Sequence, residues 1–251
     1  MRYAGRIRTA VIILAFGLLE LLCRSGVISN FTMIPPSTTL VSLIEILASG
    51  RFSADIIVTL RNVSVAIVAA MLSGPLLAII LHQLPGLRRV LDPLFATYYA
   101  IPVYAFYPLL MVIFGLGDLP QIAVGFLLAI VAVLINTLNG LDRVPPVLLK
   151  VARMHRLGPV ATALKVRLPF AAPYIFTGFK LCVAYSFVGV IGAEFITSSR
   201  GIGYEISYAY NNFDNGVMYP LIFFILTIVT VINMSLYAWE RKLLARRSSA
   251  S

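Results

Sequence analysis

The sequence predicts an all-α polytopic membrane protein with about six transmembrane helices and both termini in the cytoplasm. Of its 251 residues, 60% are apolar and only 12% are charged, whereas a soluble domain is about 45–50% apolar and about 25% charged. A soluble sphere of this size could not bury so much apolar surface, so the composition indicates a lipid bilayer. Two further observations agree: apolar stretches of bilayer length recur along the chain, and its positive charges are unevenly distributed.

Six apolar stretches approach the roughly 20 residues that a helix needs to cross the hydrocarbon core. They are Thr9–Cys23, Ile56–Leu81, Leu94–Phe114, Leu119–Leu138, Phe170–Ile196 and Tyr219–Trp239. The first is short and contains Glu20, so its limits are the least well defined. Helices are expected because a spanning helix satisfies its backbone groups internally. The shorter run Thr38–Ala48 is apolar at helical spacing and predicts an interfacial helix on the outer surface.

The positive charges predict the orientation of these spans. With the N-terminus inside, 15 of the 20 Lys and Arg residues fall in inside segments, and only Arg24, Arg51 and Arg200 fall outside. Cytoplasmic loops carry such an excess, so both ends of the chain are expected in the cytoplasm. The same distribution explains the net charge of +10 without nucleic acid as a partner.

The expected organisation has three parts. Residues 1–55 form an N-terminal span and the external interfacial helix, residues 56–240 form the core transmembrane domain, and residues 241–251 form a basic cytoplasmic tail. Within the core, residues 139–168 form the longest cytoplasmic loop. The two cysteines are too few for a disulfide framework, and the sequence predicts neither a metal site nor a cofactor.

The loop of residues 139–168 has the pattern of a docking element for a soluble partner. It holds six of the inside positive charges, and apolar residues recur in it at loosely helical spacing: Leu148, Leu149, Ala152, Leu157 and Leu164. Pro145–Pro146 suits a helix start, and Gly158–Pro159 predicts a turn between two short helices. The alternative is a basic helix that lies on anionic lipid.

Three blocks of sequence, in a fixed order, carry a family resemblance. They comprise Leu91-Asp-Pro-Leu94, Ala100-Ile-Pro102, Pro108-Leu-Leu110 and Phe114-Gly-Leu-Gly117; then Asn136-Thr-Leu-Asn-Gly140, Val151-Ala-Arg153, Leu168-Pro169, Pro173-Tyr-Ile175 and Thr177-Gly178; then Ala193-Glu194 and Gly201-Ile-Gly-Tyr204. The chain resembles the permease subunit of bacterial ATP-binding-cassette importers. Within that family it is most similar to the nitrate, sulfonate and taurine branch, which includes pyrimidine-precursor transporters.

The resemblance implies a transport subunit that works with partners. Two permease copies pair in the membrane, two cassette ATPase subunits lie beneath them, and an external binding protein delivers a small anionic or polar organic solute. ATP binding then drives alternating access. The loop corresponds to the family's coupling loop, and its candidate coupling residues are Lys150, Ala152, Arg153, Arg156, Gly158, Leu164, Leu168 and Pro169.

The loop departs from the family signature at two positions. That signature begins Glu-Ala-Ala, has Gly six residues after the Glu, and ends in Leu-Pro. Here Lys150 stands at the Glu position and Arg156 at the Gly position, while Leu168–Pro169 keeps the ending. Two interpretations remain open: an ATPase with an acidic contact for Lys150, or a degenerate permease that acts as a scaffold.

Polar side chains within the spans are the second group of candidates. Arg61 and Lys180 would attract an anionic substrate, or one of them would pair with a carboxylate such as Glu194, because isolated charges in a membrane are costly. Alternatively, Lys180 would extend its charged end towards a membrane interface. Tyr104 and Tyr107, beside helix-kinking prolines, and Asn136 line either a pathway or a packed interface. Small residues of the fifth span permit close helix approach and predict a pore-side or dimer contact: Gly178, Gly189 and Gly192.

Other function classes fit less well. The phosphate-binding Gly-x4-Gly-Lys-Ser/Thr pattern is absent from the sequence, so the protein is not expected to be an enzyme and a separate subunit must hydrolyse ATP. An ion-coupled secondary carrier is expected to show internal repeats and a coupling carboxylate near the midplane, whereas Glu194 lies near the end of its span. An intramembrane enzyme would have to use His82 or His155, which lie near or in cytoplasmic loops.

Overall fold

The computed structural model describes the backbone of residues 2–29 and 31–248, and the side chains of residues 7, 10–29 and 31–241. Every regular element in this part of the chain is helical. The helices are α1 (Arg2–Arg24), α2 (Pro36–Ser49), α3 (Ser53–Gln83), α4 (Pro85–Thr97), α5 (Tyr107–Phe114), α6 (Asp118–Asp142), α7 (Pro146–Met154), α8 (Pro159–Thr162), α9 (Leu168–Ile196), α10 (Ile202–Asn211) and α11 (Asn215–Ser248). Short 3₁₀ segments, Tyr98–Ala100 and Val103–Phe106, join α4 to α5, and a π-helical turn, Ala163–Arg167, joins α8 to α9.

Four helical stretches are long and apolar enough to cross a membrane, within the residues described. They are Ser53–Gln83, Asp118–Asp142, Pro159–Ile196 and Asn215–Arg241. A pair of helical segments that meet at a sharp bend, Pro85–Ala100 and Val103–Phe114, gives a fifth if the pair is counted as one span. The helix α1 covers the predicted first span but is not among these, so a sixth span stays a prediction. The location of both termini in the cytoplasm also stays a prediction. Six positive charges in that count have side chains outside the described residues: Arg2, Arg6, Arg8, Lys242, Arg246 and Arg247.

The predicted third span, Leu94–Phe114, is broken rather than a single kinked helix. Its two halves meet at 93°, which makes it either a broken span or a re-entrant loop. The break lies at Pro102, which has no backbone N–H and forces the preceding Ile101 into an extended conformation. Pro108, predicted as a second kink, lies in the first turn of α5, where proline is well tolerated.

The helices α3, α6 and α9 pack together as the core of the chain. The closest approach joins α6 to α9, because a Cβ added to Gly189 would lie 2.5 Å from the Cα of Gly125. Gly178 lies against the backbone of α6, and a Cβ there would come 3.2 Å from the Cα of Val133. Gly178 and Gly189 are buried within the chain. The predicted pore-side or dimer contact is therefore wrong for these two glycines, which pack α9 against α6.

Other boundaries differ from the predictions in ways that matter for the loop. The helix α6 continues to Asp142, so the loop predicted from residue 139 begins after that residue. Leu168 and Pro169 start α9 rather than merely preceding it. The helix α11 continues to Ser248, so the tail predicted at residues 241–251 is helical through that residue. The two short loop helices predicted on either side of Gly158–Pro159 are present as α7 and α8.

Candidate functional site

The first turn and the buried side of α7 orient the helix on the protein surface. Pro145 is its N-cap residue and Pro146 its first residue, which suits a helix start because the first N–H groups have no intrahelical acceptor. Ala152 is buried, and Leu149 is half-buried beside it on the same side. The opposite side of the helix therefore faces outward.

An exposed stripe of apolar side chains runs along this outward side. Val147 is 66% exposed, Val151 44% and Met154 82%, and their spacing of four and three residues puts them on one helix face. Lys150 and Arg153 flank the stripe on one edge and are exposed. We call these five residues the α7 face. Exposed apolar patches rimmed by polar residues mark sites of interaction.

Arg156 occupies a backbone position that favours glycine. Its φ is +53°, and it ends α7 in a Schellman motif, in which the N–H of Leu157 bonds to the C=O of Ala152 at 3.0 Å and that of Arg156 to Arg153 at 2.9 Å. This is the position where the family signature has Gly. Gly158 does not compensate, because its φ of −67° and ψ of 169° are available to any residue.

Replacing Arg156 by glycine is expected to stabilise the end of α7 by about 1 kcal/mol, because a left-handed conformation costs a residue with a Cβ about that much. Amide hydrogen exchange at Leu157 measures the change and should slow. Arg156→Ala is the matched control, since it removes the same charge but keeps the Cβ. Equal exchange in the Gly and Ala variants would contradict this prediction.

A basic cleft opens behind α7, next to the junction of α3 and α4. Its volume is about 580 Å³, and its lining includes His82, Arg153 and Arg167 but no carboxylate. The buried Nε of Arg167 has no hydrogen-bond acceptor among the described residues. Beside the cleft, Arg88 holds Asp142 through two hydrogen bonds of 2.7 and 2.6 Å, which ties α4 to the end of α6.

The remaining candidate coupling residues lie around α8 and the start of α9. Leu164 is 57% exposed in the π-helical turn. Gly158 caps α8 with extended backbone, and Leu168 and Pro169 form the first turn of α9. The structure thus brings the candidate coupling residues together on one side of the molecule, but only Lys150 and Arg153 of them belong to the α7 face.

Arg61 pairs with a carboxylate, which is one of the two interpretations given above, and the acid is Asp118 rather than Glu194. Arg200 binds the same carboxylate at 3.0 Å, so one acid serves two arginines. The side chains of Arg61 and Arg200 are 54% and 53% exposed, respectively. Arg200 also borders a cavity of about 220 Å³ that Tyr107 lines. Attraction of an anion by Arg61 stays a prediction.

Glu194 is buried near the end of α9 and caps the N-terminus of α10. Its carboxylate accepts a hydrogen bond from the N–H of Gly203 at 3.0 Å, and the hydroxyl of Thr59 lies 2.9 and 2.8 Å from its two oxygens. That hydroxyl also accepts a bond from the N–H of Ile202 at 2.8 Å. A carboxylate there satisfies free N–H groups and complements the helix dipole. Glu194 therefore joins α3, α9 and α10.

The Gly201-Ile-Gly-Tyr204 block is explained by this cap. A Cβ on Gly201 would lie 2.5 Å from the carboxyl carbon of Glu194, and one on Gly203 would lie 2.4 Å from the carbonyl oxygen of Ile191. The N–H of Gly201 donates to Asp55 at 2.8 Å. Two glycines thus allow the start of α10 to approach the acid.

In the first turn of α10, partial burial raises the pKa of Glu205.

Replacing Glu194 by glutamine is expected to destabilise α10 by about 2 kcal/mol, because an amide nitrogen would face donors where an acceptor is needed. Amide exchange within α10 should accelerate by more than roughly tenfold, while exchange in α6 stays unchanged. Glu45→Gln removes an exposed carboxylate from α2 and serves as the control. Unaltered protection of α10 in the Glu194→Gln variant would argue against the cap.

Lys180 pairs with Glu240 rather than with Glu194. The Nζ and Oε2 atoms are 2.6 Å apart, and the side chains are only 23% and 15% exposed. Lys180 also lies 5.9 Å from the ring centre of Tyr237. The pair joins α9 to α11 near the end of the candidate span Asn215–Arg241, so Lys180 has a structural partner.

The two tyrosines and Asn136 lie in helix interfaces. Tyr104 donates a hydrogen bond to the C=O of Val188 at 2.5 Å, and Tyr107 donates to that of Thr197 at 2.9 Å. The side chain of Asn136 donates to its own helix at 2.8 Å, and it lies on the side of α6 that meets Gly178. Each side chain contributes to packing, and a pathway role for them stays a prediction.

Sequence reasoning missed several residues of these sites. It selected Leu148 and Leu149 in the loop, whereas the most exposed apolar side chains of α7 are Val147 and Met154. A regular spacing of four and three residues from Val147 was the signal that could have found them. It also missed the acid that binds Arg61, because nothing in the sequence links that arginine to a residue 57 positions away.

Comparison with a family model gives a match over most of the chain. The model described as "Binding-protein-dependent transport system inner membrane component" matches residues 66–249. This range includes the loop, the α7 face, Lys180 and Glu194. Arg61 lies outside it.

Three relatives illustrate what the chain is similar to. It is 34% identical over 161 residues to a nitrate import permease protein of Leptolyngbya laminosa, covering 64% of this chain and 58% of that protein. A taurine transport system permease protein of Escherichia coli is 27% identical over 221 residues, covering 86% and 80%. A bicarbonate transport system permease protein of Synechococcus elongatus is 35% identical over 139 residues, covering 55% and 50%. The match to the nitrate permease thus spans less than two thirds of that protein's length.

Proposed function

The chain belongs to the family of binding-protein-dependent transport system inner membrane components, and from this premise we propose that it provides the membrane pathway of an ATP-driven importer. It is a multi-pass permease subunit of the bacterial inner membrane and not itself an enzyme. In the proposed complex, two copies of the chain pair across the pathway, cassette ATPases supply the energy and an external binding protein delivers the solute.

The α7 face is the single observation that carries the coupling to an ATPase. It combines an exposed apolar stripe with flanking cations, which is the composition of an interaction patch rather than of a solvated loop. It lies between two predicted spans, in the segment that corresponds to the family's coupling loop. Movement of an ATPase attached there would act directly on α6 and α9, which enclose the loop.

A small solute that carries an oxyanion group is the proposed substrate. The relatives are named for nitrate, taurine and bicarbonate, and each of these solutes carries a negatively charged group with two or three oxygens. Arg61 and Arg200 share the single carboxylate of Asp118. Both side chains are about half exposed, so their guanidinium groups would be available to donate hydrogen bonds to an anion.

Purification of the tagged chain in mild detergent tests the proposal. A cassette ATPase is expected to co-purify, and proteoliposomes that contain the complex and its binding protein should take up labelled nitrate, taurine or bicarbonate only with ATP. Scrambling residues 147–154 should release the ATPase. Uptake without any ATPase that stops with an ionophore would instead indicate an ion-coupled carrier. A stable complex that carries no solute would indicate a scaffold.

A further inference from the structure

We propose that the α7 face and the basic cleft bind an acidic groove, so that the ATPase partner of this chain places Asp or Glu side chains against Lys150, Arg153 and Arg167. This inference rests on the proposed function and specifies the chemistry of the partner surface. The partner is a protein, and its contact surface combines apolar side chains with carboxylates.

The charge of the loop is the first argument. Between Arg143 and Pro169 the sequence has six Lys and Arg residues and no Asp or Glu. In the structure, Lys150, Arg153 and Arg156 are exposed, and none lies within 4.0 Å of a described carboxylate. Charges across protein interfaces are arranged to be complementary, and like charges that face each other cost several kcal/mol. A partner that covers this surface must therefore supply acids.

The cleft indicates where such an acid would bind. Arg153 and Arg167 both line it, and its lining has no carboxylate. A carboxylate bound to a guanidinium forms one of the strongest charge-assisted hydrogen-bonded pairs in proteins. One partner acid in this cleft would bind the guanidinium groups of Arg153 and Arg167.

The shape of the site favours a protein over a lipid surface. Helices that lie on membranes bind in proportion to the apolar area that they bury in the lipid, and the nine-residue helix α7 offers little such area. The α7 face has three exposed apolar side chains, and Lys150 and Arg153 flank them on one edge, next to a concave cleft. This arrangement fits a helix seated in a protein groove.

Zero-length cross-linking tests the contact directly. A carbodiimide joins an amine to a carboxylate without a spacer, so we expect it to link Lys150 to an Asp or Glu of the co-purified ATPase, as mapped by mass spectrometry. Lys150→Arg keeps the charge and the complex but should abolish this link. An amine-to-amine reagent that links Lys150 to the ATPase while the carbodiimide does not would overturn the proposal.

Charge reversal measures the energetic contribution. At least tenfold less ATPase subunit should co-purify with the Lys150→Glu/Arg153→Glu variant than with the wild type. Thermal unfolding should show that the variant is still folded. Arg89→Glu is the control, because Arg89 is an exposed cation on α4 that belongs neither to the α7 face nor to the lining of the basic cleft. The comparison is made in neutral phosphatidylcholine nanodiscs and in nanodiscs that contain anionic lipid. Loss of ATPase only in the anionic discs would overturn the proposal in favour of a lipid contact.

Failure of this inference is distinguishable from failure of the proposed function. If the ATPase co-purifies with the wild type and equally with the Lys150→Glu/Arg153→Glu variant, while Val151→Asp releases it, the complex exists and the acidic groove is wrong. If no ATPase co-purifies with the wild type, the proposed function fails and the inference fails with it. Acidic residues at the mapped cross-link, together with selective loss in the charge-reversed variant, support both.

Discussion

Gly189→Ala is expected to destabilise the protein by about 3 kcal/mol, at the upper end of the usual cost of overpacking. The added methyl group would lie 2.5 Å from the Cα and 2.8 Å from the backbone N of Gly125. Both sides of the contact are helix backbone, so no side chain can rotate away. The core helices α6 and α9 would have to separate, and the loop between them would be displaced.

The free energy of unfolding in detergent micelles, from a denaturant titration, measures this effect. Gly17→Ala is the matched control, because Gly17 also lies within a helix but a Cβ there would meet nothing within 4 Å. That substitution should be neutral or slightly stabilising, since alanine favours a helix more than glycine does. A Gly189→Ala variant as stable as the Gly17→Ala variant would show that α6 and α9 do not approach this closely.

Lys180→Met is also expected to destabilise the protein by about 3 kcal/mol, because it leaves the carboxylate of Glu240 unpaired. That side chain is only 15% exposed and lies in a helix predicted to cross the bilayer, where an isolated charge is expensive. The helix α11 should loosen from α9. The same titration measures the loss.

The double variant Lys180→Met/Glu240→Leu tests whether the pairing itself is responsible. Replacing both partners by apolar residues is often neutral, so the double variant should recover to within about 1 kcal/mol of the wild type. Normal transport by a stable double variant would also exclude an essential contact between Lys180 and the solute. If the double variant is less stable than Lys180→Met alone, the ion pair is not the reason for the loss.

The sequence predicted the helices well where a single local property decides them. Runs of apolar residues near bilayer length predicted most of the ends of α3, α6, α9 and α11 to within a few residues. Pro145–Pro146 and Gly158–Pro159 located the two short loop helices, since proline and glycine act on their own backbone. The count of Lys and Arg predicted an orientation that the structure, which contains no membrane, leaves as a prediction.

The break at Pro102 shows where local reasoning was insufficient. A proline within an apolar stretch is compatible with a kinked span or with two separate segments, and the angle of 93° depends on what each half packs against. The hydroxyl of Tyr104 bonds to the C=O of Val188 in α9, and that of Tyr107 bonds to the C=O of Thr197, which caps the end of α9. The bent second half is thus held by a helix more than 60 residues later in the sequence, which no local pattern contains.

By itself, the sequence determined that this protein is a helical membrane protein with a basic loop, because hydrophobicity, proline and charge act locally. The permease assignment came from its resemblance to a family, not from these local properties. Only the tertiary structure decided the partners of the buried charges. Arg61 binds an acid 57 residues away and Lys180 one 60 residues away, and both pairings depend on helix packing. It also decided which side of α7 faces outward. That helix has apolar residues on both sides, so its exposed face is set by what the other side, at Ala152, is packed against.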